Sequence, residues 1–323
     1  MGKSNISSFP SLISDRPGLR WADRIFRATM LIVALSVLLI TAIIAFELYR
    51  GSRLSIAKFG WAFLWNSTWD PVAEEFGALP FIYGTLVTSA ISLLIAIPVG
   101  LGVAIFLSEL APRWLSDPVT FLVELLAAIP SVIYGLIGIF VLVPWMRNVL
   151  EPLLSGAFGF LPLFRGAPYG VGMLTAGILL AIMVIPFIVS VSREVLLAVP
   201  RSQREAILSL GATRWEMVRI AILPYARSGI LGSVFLALAR ALGETMAVTM
   251  VIGNRPEVSA SLFDPGYTMA SVIANEFTEA TSDLYVSALV EVGLVLFAVT
   301  IIVNALARLL IYSLSEKRAG VRT

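Results

Sequence analysis

Long apolar stretches separated by short polar segments dominate this sequence, and they lack both the alternation of a half-buried strand and the single stripe of a soluble helix. A helix needs roughly twenty apolar residues to cross about 30 Å of hydrocarbon, because it rises about 1.5 Å per residue. Six stretches are long enough, so the pattern predicts an all-α integral membrane protein with about six transmembrane helices. The predicted spans are residues 28–48, 81–107, 119–144, 171–191, 229–252 and 285–312.

The amino-acid composition supports the prediction of a membrane protein and excludes several classes of catalytic and metal site. Hydrophobic residues make up 58% of the 323 residues and charged residues only 14%, against about a quarter charged in a soluble domain. The sequence has no His and no Cys, which removes disulfides, thiolate nucleophiles, imidazole bases and most zinc sites. It also has no Gly-x-x-x-x-Gly-Lys-Ser/Thr loop, so energy from ATP must come from a partner. We therefore expect no catalytic site, and a net charge of +2 without a basic cluster argues against nucleic-acid binding.

The positions of Lys and Arg predict the orientation. Sixteen of the 23 basic residues precede the first span, lie from Arg308 near the end of the sixth span onward, or lie in the loops after the second and fourth spans. Because basic residues collect on the cytoplasmic side, both termini are expected in the cytoplasm. About 27 mostly polar residues precede the first span, which favours a retained anchor over a cleaved signal peptide. Four tryptophans fall in or next to the predicted outer loops, where they suit an interfacial aromatic belt: Trp61, Trp65, Trp69 and Trp145.

Prolines and one charged pair stand out within the predicted spans. Pro98, Pro130 and Pro186 lie in spans two, three and four, where a proline either shapes helix packing or bends a pore-lining helix. Arg240 lies in span five, and Glu244 follows four residues later.

Two interpretations of Arg240 and Glu244 stay open. They form an intrahelical ion pair that fixes helix packing, or Arg240 helps an anion through the membrane while Glu244 positions it. The second is favoured, because ionisable groups inside a membrane are usually functional and the Arg fork suits a tetrahedral oxyanion. Ser131 and Asn254 are further polar candidates for the same pathway.

The longest predicted inner loop, residues 192–228, reads as a helical hairpin. Residues 202–209 are predicted as a helix opened by a capping box of Ser202 and Glu205 and ended by Gly211. Residues 213–223 are predicted as a second helix with apolar side chains available for burial: Trp215, Met217, Val218 and Ile222.

This hairpin resembles the coupling loop of ABC importer permeases, which reads Glu-Ala-Ala, then Gly, then Ile-x-Leu-Pro. The matching positions are Glu205, Ala206, Gly211, Leu223 and Pro224. Ile207 replaces the third motif residue and Ala221 the late isoleucine. The resemblance implies that the coupling loop covers about residues 200–225. It also implies that a partner ATPase binds this loop at residues 205–211.

Three further segments resemble phosphate-specific permeases, and the last of them resembles the PstC-type subunit more than its PstA-type partner. They are Trp69-Asp-Pro followed by Phe76-Gly-Ala-Leu-Pro-Phe-Ile-Tyr-Gly-Thr-Leu, then Glu124-Leu-Leu-Ala-Ala-Ile-Pro-Ser-Val-Ile-Tyr-Gly, and Arg240-Ala-Leu-Gly-Glu-Thr-Met-Ala-Val running to Ile252-Gly-Asn. Together with the coupling loop, the resemblance covers about residues 55–313.

The resemblance implies a type I ABC importer permease fold in a bacterial inner membrane. The expected partners are a second permease subunit, two copies of an ATPase that bind ATP and Mg²⁺, and an extracytoplasmic phosphate-binding protein. No cofactor is expected in this chain. The expected organisation is a cytoplasmic tail (1–27), a permease domain (28–313) and a second tail (314–323).

Three alternatives remain. A sulfate or molybdate permease shares Arg-Ala-x-Gly-Glu and the coupling loop, but it typically carries an aromatic residue where this chain has Thr245. An ion-coupled secondary transporter would leave the coupling loop unexplained, and no inverted repeat is visible. A membrane scaffold or sensor would make Arg240 purely structural, and loss of uptake as opposed to loss of assembly separates that role from transport.

Overall fold

The computed structural model describes the backbone of residues 17–319 and the side chains of Trp21 and residues 23–309. That part of the chain is helical and contains no strand. It consists of α-helices, short π-helical or 3-10 turns, and connecting loops. The helices are α1 Pro17–Gly51, α2 Arg53–Phe59, α3 Leu79–Ile105, α4 Arg113–Ala128, α5 Ser131–Ile137, α6 Val143–Trp145, α7 Glu151–Phe158, α8 Met173–Leu197, α9 Arg201–Ser209, α10 Arg214–Met217, α11 Leu223–Gly243, α12 Met246–Ile252, α13 Met269–Glu276 and α14 Asp283–Ala319.

Six helical stretches among the described residues are long and apolar enough to cross a membrane, as the sequence predicts. They are Asp23–Gly51, Leu79–Leu110, Ser131–Phe158, Met173–Leu197, Arg214–Gly243 and Asp283–Leu309. Parts of both predicted tails lie outside the described residues, so the division into tails and a permease domain stays a prediction. The chain divides after Arg50 into two compact units, and the helices from α2 onward belong to the second.

The third and fifth predicted spans are wrong in their bounds, because each contains a break. Span three was predicted as residues 119–144, but α4 ends at Ala128 and a new helix begins at Ser131. Ile129 is extended there (φ −66°, ψ 129°), since the proline that follows disfavours a helical conformation at this position. Span five was predicted as residues 229–252, but α11 ends at Gly243.

Helices α3 and α8 form the centre of the second unit through close contacts at small residues. A Cβ built on Gly100 would lie 2.8 Å from Ile188, and one built on Gly177 would lie 2.6 Å from Ile91. The hydroxyls of Ser192 and Ser233 form a buried 2.8 Å hydrogen bond between α8 and α11. Small residues let backbones approach closely in a membrane, where van der Waals packing drives helix association.

Trp69 does not join an interfacial belt, because the structure buries it. Its indole nitrogen donates a 2.8 Å hydrogen bond to the Glu276 carboxylate, and the Tyr285 hydroxyl donates to the same oxygen at 2.6 Å. Through these two hydrogen bonds, Trp69 links the loop before α3, predicted as an outer loop, to α13 and α14. Trp61 and Trp65 are 83% and 76% exposed and remain suited to the belt.

The loop before α13, predicted as an outer loop, contacts α3 at Gly84. A Cβ built there would lie 2.2 Å from the backbone oxygen of Tyr267. Tyr267 is itself buried, and its hydroxyl accepts a 2.8 Å hydrogen bond from Asn275. Burial raises the pKa of Tyr267 well above its usual value, so the side chain stays neutral. The contact leaves no room for a side chain at position 84.

We expect Gly84→Ala to lower the free energy of unfolding by about 1–3 kcal/mol, because the new methyl group meets backbone that cannot rotate away. Gly102 on the same helix has nothing within 4 Å of its built Cβ. Gly102→Ala is therefore the matched control and should raise stability by about 0.5–1 kcal/mol through backbone entropy. The melting temperatures of the two variants in detergent measure the difference, and equal shifts would argue against the contact.

Candidate substrate site at two helix breaks

Two chain breaks interrupt helices in the second unit. The first is the extended pair Ile129 and Pro130 between α4 and α5. The second is Glu244, which is extended (φ −70°, ψ 129°) after α11 ends at Gly243. Thr245 then precedes α12. Inside a membrane, irregular backbone is tolerated only where protein or a water-filled cavity satisfies its polar groups.

Both breaks lie at the same depth, halfway along α8. A Cβ built on Gly138, directly after α5, would lie 3.1 Å from Leu179 of α8. Tyr134, one turn earlier, belongs to the same cluster as Met183, which lies one turn further along α8. Arg240, in the last turn of α11, lies over the ring of Phe187. Met183 and Phe187 flank the midpoint of the 25-residue α8, which is about 37 Å long at 1.5 Å per residue. The breaks therefore fall near the middle of the bilayer.

Helices α5 and α12, which follow the two breaks, pack directly against each other. A Cβ built on Gly135 would lie 2.4 Å from the Met250 sulfur and 3.2 Å from the Cα of Ala247. A Cβ built on Gly138 would lie 2.7 Å from Val251. These glycines bring the two helices close enough to position both breaks together.

Arg240 is a partly buried cation that has no carboxylate partner among the residues whose side chains the structure describes. Its guanidinium carbon lies 4.4 Å from the centre of the Phe187 ring. Its Nε atom is buried and has no hydrogen-bond partner, and the ion pairs among the described residues do not include it. An uncompensated charge away from water costs free energy. A bound anion would remove that cost.

The intrahelical pair of Arg240 and Glu244 that the sequence suggested does not form. A carboxylate four residues on reaches the guanidinium only if the helix continues for another turn, and α11 ends first. Glu244 instead belongs to the break itself, partly buried. The side chain that contacts the Arg240 guanidinium is the Phe187 ring, not the Glu244 carboxylate.

The structure places the other two candidate residues differently. Ser131 is the first residue of α5 and directly follows the first break. Asn254 follows the opposite end of α12, about 10 Å of helix away from the break. It has a positive φ of 51°, and its side chain donates to the Thr249 carbonyl at 3.0 Å. Ser131 therefore belongs with the breaks, whereas Asn254 does not.

Two residues of the site were missed by the sequence analysis. Phe187 directly follows Pro186 in span four, but an aromatic residue in a transmembrane helix carries no signal of a cation above it. Tyr134 was part of a matched segment, and its hydroxyl donates to the Leu126 carbonyl across the first break at 2.8 Å. That carbonyl has room for the hydroxyl because Pro130, four residues on, has no N–H to donate, and Ile129 donates to the same oxygen at 3.3 Å.

The predicted cytoplasmic hairpin is present, with two corrections. Helix α9 starts at Arg201 behind Pro200, which provides no side-chain cap, so the predicted capping box at Ser202 is wrong. A capping box forms instead at the second helix, between Thr213 and Glu216. Gly211 ends α9 in the left-handed region (φ 84°), as the sequence predicts.

The residues of the coupling motif lie on different faces of the hairpin. Glu205 and Ala206 are exposed on α9. Leu223, the first residue of α11, packs against the apolar cluster beneath the hairpin, and the exposed Pro224 follows it in the first turn. Met217, Val218 and Ile222 are buried within the chain, whereas Trp215 is 59% exposed and stays available for burial.

Comparison with protein families and curated proteins places the chain among transport proteins. A family model described as "Binding-protein-dependent transport system inner membrane component" matches residues 96–316. A protein of Mesorhizobium japonicum called "Phosphate transport system permease protein PstC" is 49% identical over 299 residues, covering 91% of each chain. A Haemophilus influenzae protein of the same name is 49% identical over 302 residues, covering 92% of this chain and 96% of the relative.

Solved structures show the same fold at low sequence identity. A bacterial ABC transporter that imports alginate matches with a TM-score of 0.56 and 18% identity, covering 90% of this chain and 98% of that one. The MetNI methionine ABC transporter matches with a TM-score of 0.51 and 19% identity, covering 71% and 94%. The fold is the predicted type I ABC importer permease fold. The chain belongs to the family of binding-protein-dependent transport system inner membrane components and, within it, to the PstC-type permeases.

Proposed function

We propose that this chain is a membrane-spanning subunit of an ATP-driven importer of inorganic phosphate. The observation that carries the proposal is Arg240 at the two helix breaks, a partly buried cation with no carboxylate partner in the described part of the chain. The 49% identity to proteins named phosphate transport permeases supports phosphate as the anion. The permease supplies the pathway through which the anion crosses the membrane.

The geometry at Arg240 suits a tetrahedral oxyanion. The Phe187 ring lies 4.4 Å from the guanidinium carbon, and an Arg fork can donate two parallel N–H groups to two phosphate oxygens. The hydroxyl of Ser131 is a further donor at the first break. Glu244, at the second break, can accept a hydrogen bond from phosphate, which keeps a hydroxyl group at neutral pH where sulfate has none. Asn254 lies toward the outer end of α12 and would meet the anion on its way in.

The cytoplasmic hairpin provides the contact for an ATPase. Glu205 and Ala206 are exposed on α9, and apolar side chains that a partner could cover lie near them: Leu208 and Leu210 are 43% and 83% exposed. Gly211 sets the turn, while Leu223 and Pro224 join the hairpin to α11. The complete importer contains a second permease subunit, two ATPases that bind ATP and Mg²⁺, and an extracytoplasmic phosphate-binding protein. It lies in the bacterial inner membrane with both termini of this chain in the cytoplasm.

Growth of bacteria in limiting phosphate tests the proposed function. Cells that lack their own high-affinity phosphate permease and express this chain with its partners should take up labelled phosphate at low external concentration. Cells expressing the partners without this chain provide the control. Equal uptake in the two strains, with the chain present in the membrane, would refute the proposal.

We expect Gly211→Asp to weaken ATPase association, although not by crowding. A Cβ at position 211 meets nothing within 4 Å, but the residue has φ 84°, which costs an ordinary side chain about 1–2 kcal/mol. Gly211→Asn is the matched control, because Asn accepts this conformation more readily. Glu205→Lys should weaken association through charge reversal at the exposed face. Co-purification of the ATPase measures all three, and wild-type stoichiometry in Gly211→Asp and Glu205→Lys would contradict the docking assignment.

A further inference from the structure

Arg204, next to the exposed Glu205, points the opposite way and joins three helical segments. Its Nη2 and Nε atoms donate to the two carboxylate oxygens of Glu109 at 2.8 and 3.2 Å. Nη2 also donates to the Leu196 carbonyl at 2.8 Å, and Nη1 donates to the Val199 carbonyl. Glu109 lies in the π-helical turn Phe106–Leu110 that ends α3, and Leu196 lies in the last turn of α8. One side chain therefore connects α9 to the cytoplasmic ends of both central helices.

The contact is shielded from water and well satisfied. The side chains of Arg204 and Glu109 are 18% and 6% exposed. An ion pair removed from water is favourable only when good geometry and additional hydrogen bonds offset its desolvation. The fork-to-carboxylate geometry and the two carbonyl acceptors meet that condition. Leu196 lies in the last turn of α8 and Val199 lies two residues beyond its end, where carbonyls no longer have the full set of intrahelical partners.

The two faces of α9 have different partners. The neighbouring Arg201, Ser202, Glu205 and Ala206 are exposed. Arg204 and Ile207 face inward, and Ile207 packs against a cluster that contains Leu196 and Val199. Apolar contacts alone allow helices to slide, whereas a bidentate ion pair with two further hydrogen bonds fixes direction and distance. A force applied to the exposed face of α9 therefore reaches α3 and α8 through Arg204.

Helix α8 continues this connection to the helix breaks. Leu196, which Arg204 contacts, and Phe187, which covers Arg240, lie on the same uninterrupted helix. They are separated by about 14 Å at 1.5 Å per residue. Movement of the end of α8 near Leu196 would change the position of the Phe187 ring over the Arg240 guanidinium.

We propose that Arg204 is a positioning residue that makes α9 move as one body with α3 and α8, so that ATPase closure on the hairpin reaches the substrate site. This inference rests on the proposed function, because it takes the ATPase as the partner of the exposed face. Loss of Arg204 would leave the docking face intact while separating ATP hydrolysis from transport.

The complete importer, reconstituted in liposomes, tests this role with Arg204→Gln. Two quantities report docking: the ATPase copies that co-purify and the KM for ATP, and both should match the wild type. The phosphate taken up per ATP hydrolysed reports coupling, and it should fall roughly fivefold or more, the lower end of a typical coupling free energy. A wild-type ratio of phosphate to ATP in Arg204→Gln would overturn the proposal.

Three further variants separate positioning from folding. Arg113→Gln changes an exposed Arg at the start of α4, outside the docking face of α9, and should leave every quantity unchanged. Arg204→Lys keeps the charge without the planar fork and should restore part of the phosphate-to-ATP ratio. Glu109→Gln removes the carboxylate from the other side and should lower the same ratio. Loss of the ATPase from all Arg204 and Glu109 variants would show a role in hairpin folding alone and would overturn the proposal.

A distance measurement decides the matter without reference to the transported anion. The chain has no Cys, so cysteines introduced at the exposed Leu197 and Ser209 carry spin labels specifically. On addition of a non-hydrolysable ATP analogue, the distance between α8 and α9 should stay constant in the wild type and change in Arg204→Gln. A constant distance in both would overturn the proposal. If the importer moves sulfate and not phosphate, the uptake assay reports that failure of the proposed function separately.

Discussion

Arg240→Gln is expected to leave the importer assembled and to reduce phosphate uptake roughly 100-fold, because a bidentate charge-assisted contact contributes about 3 kcal/mol and about 1.4 kcal/mol corresponds to a factor of ten. Gln keeps the length and polarity needed for helix packing but lacks the positive charge and the fork. Uptake of labelled phosphate into vesicles, compared at equal amounts of assembled complex, measures the effect. The variant should also be at least as stable as the wild type, since it removes an uncompensated cation from a partly buried site.

Arg240→Lys provides the matched control. It keeps the charge but offers a point charge in place of two parallel donors, so its uptake should lie between the wild type and Arg240→Gln. Wild-type uptake in Arg240→Gln would remove Arg240 from the pathway. Loss of assembly in both variants would assign Arg240 to helix packing instead.

Phe187→Leu is expected to reduce phosphate uptake about tenfold, because the ring that covers the Arg240 guanidinium at 4.4 Å is lost. A cation over an aromatic face contributes about 0.5–2 kcal/mol, and about 1.4 kcal/mol corresponds to a factor of ten. Leu keeps an apolar side chain of similar size, so α8 should still pack. The guanidinium would then sample orientations in which its fork no longer faces the anion.

Phe187→Tyr is the control for the ring itself. It keeps the aromatic face and should retain most of the uptake, and the concentration of phosphate at half-maximal rate should stay near that of the wild type. Equal uptake in Phe187→Leu and Phe187→Tyr would show that the aromatic face does not position Arg240.

The number of spans and their helical nature could be read from the sequence because the bilayer imposes a length on every crossing segment. The prediction of Gly211 at the end of α9 also succeeded, since a left-handed residue after a helix is usually Gly. Both features depend on local physics. A window of about twenty residues contains all the information that determines them.

The two helix breaks could not be located in this way. Pro130 was recognised, but Pro98 and Pro186 lie inside intact helices, and the sequence does not say which proline interrupts its helix. At Glu244 no proline marks the break at all. Both breaks are stabilised by contacts between distant segments, such as Gly135 against Ala247, which single-sequence patterns do not record.

The hairpin shows the same limit at a smaller scale. Ser202 and Glu205 have the spacing of a capping box, but Pro200 already sets the start of α9, whereas Thr213 and Glu216 form a capping box. The ion pair of Arg204 with Glu109 joins residues far apart in sequence, so neither residue could be selected from the hairpin alone. Residues whose roles depend on tertiary contacts could be identified only from the structure.

The central claim is that this permease passes phosphate, and competition between anions tests it most directly. Sealed vesicles containing the complete importer, its binding protein and ATP are supplied in turn with labelled phosphate, sulfate and molybdate. The account predicts ATP-dependent uptake of phosphate that excess unlabelled sulfate or molybdate does not reduce. Uptake of sulfate or molybdate in place of phosphate would contradict the substrate, and the absence of ATP-dependent uptake of any of the three by an assembled complex would contradict transport itself.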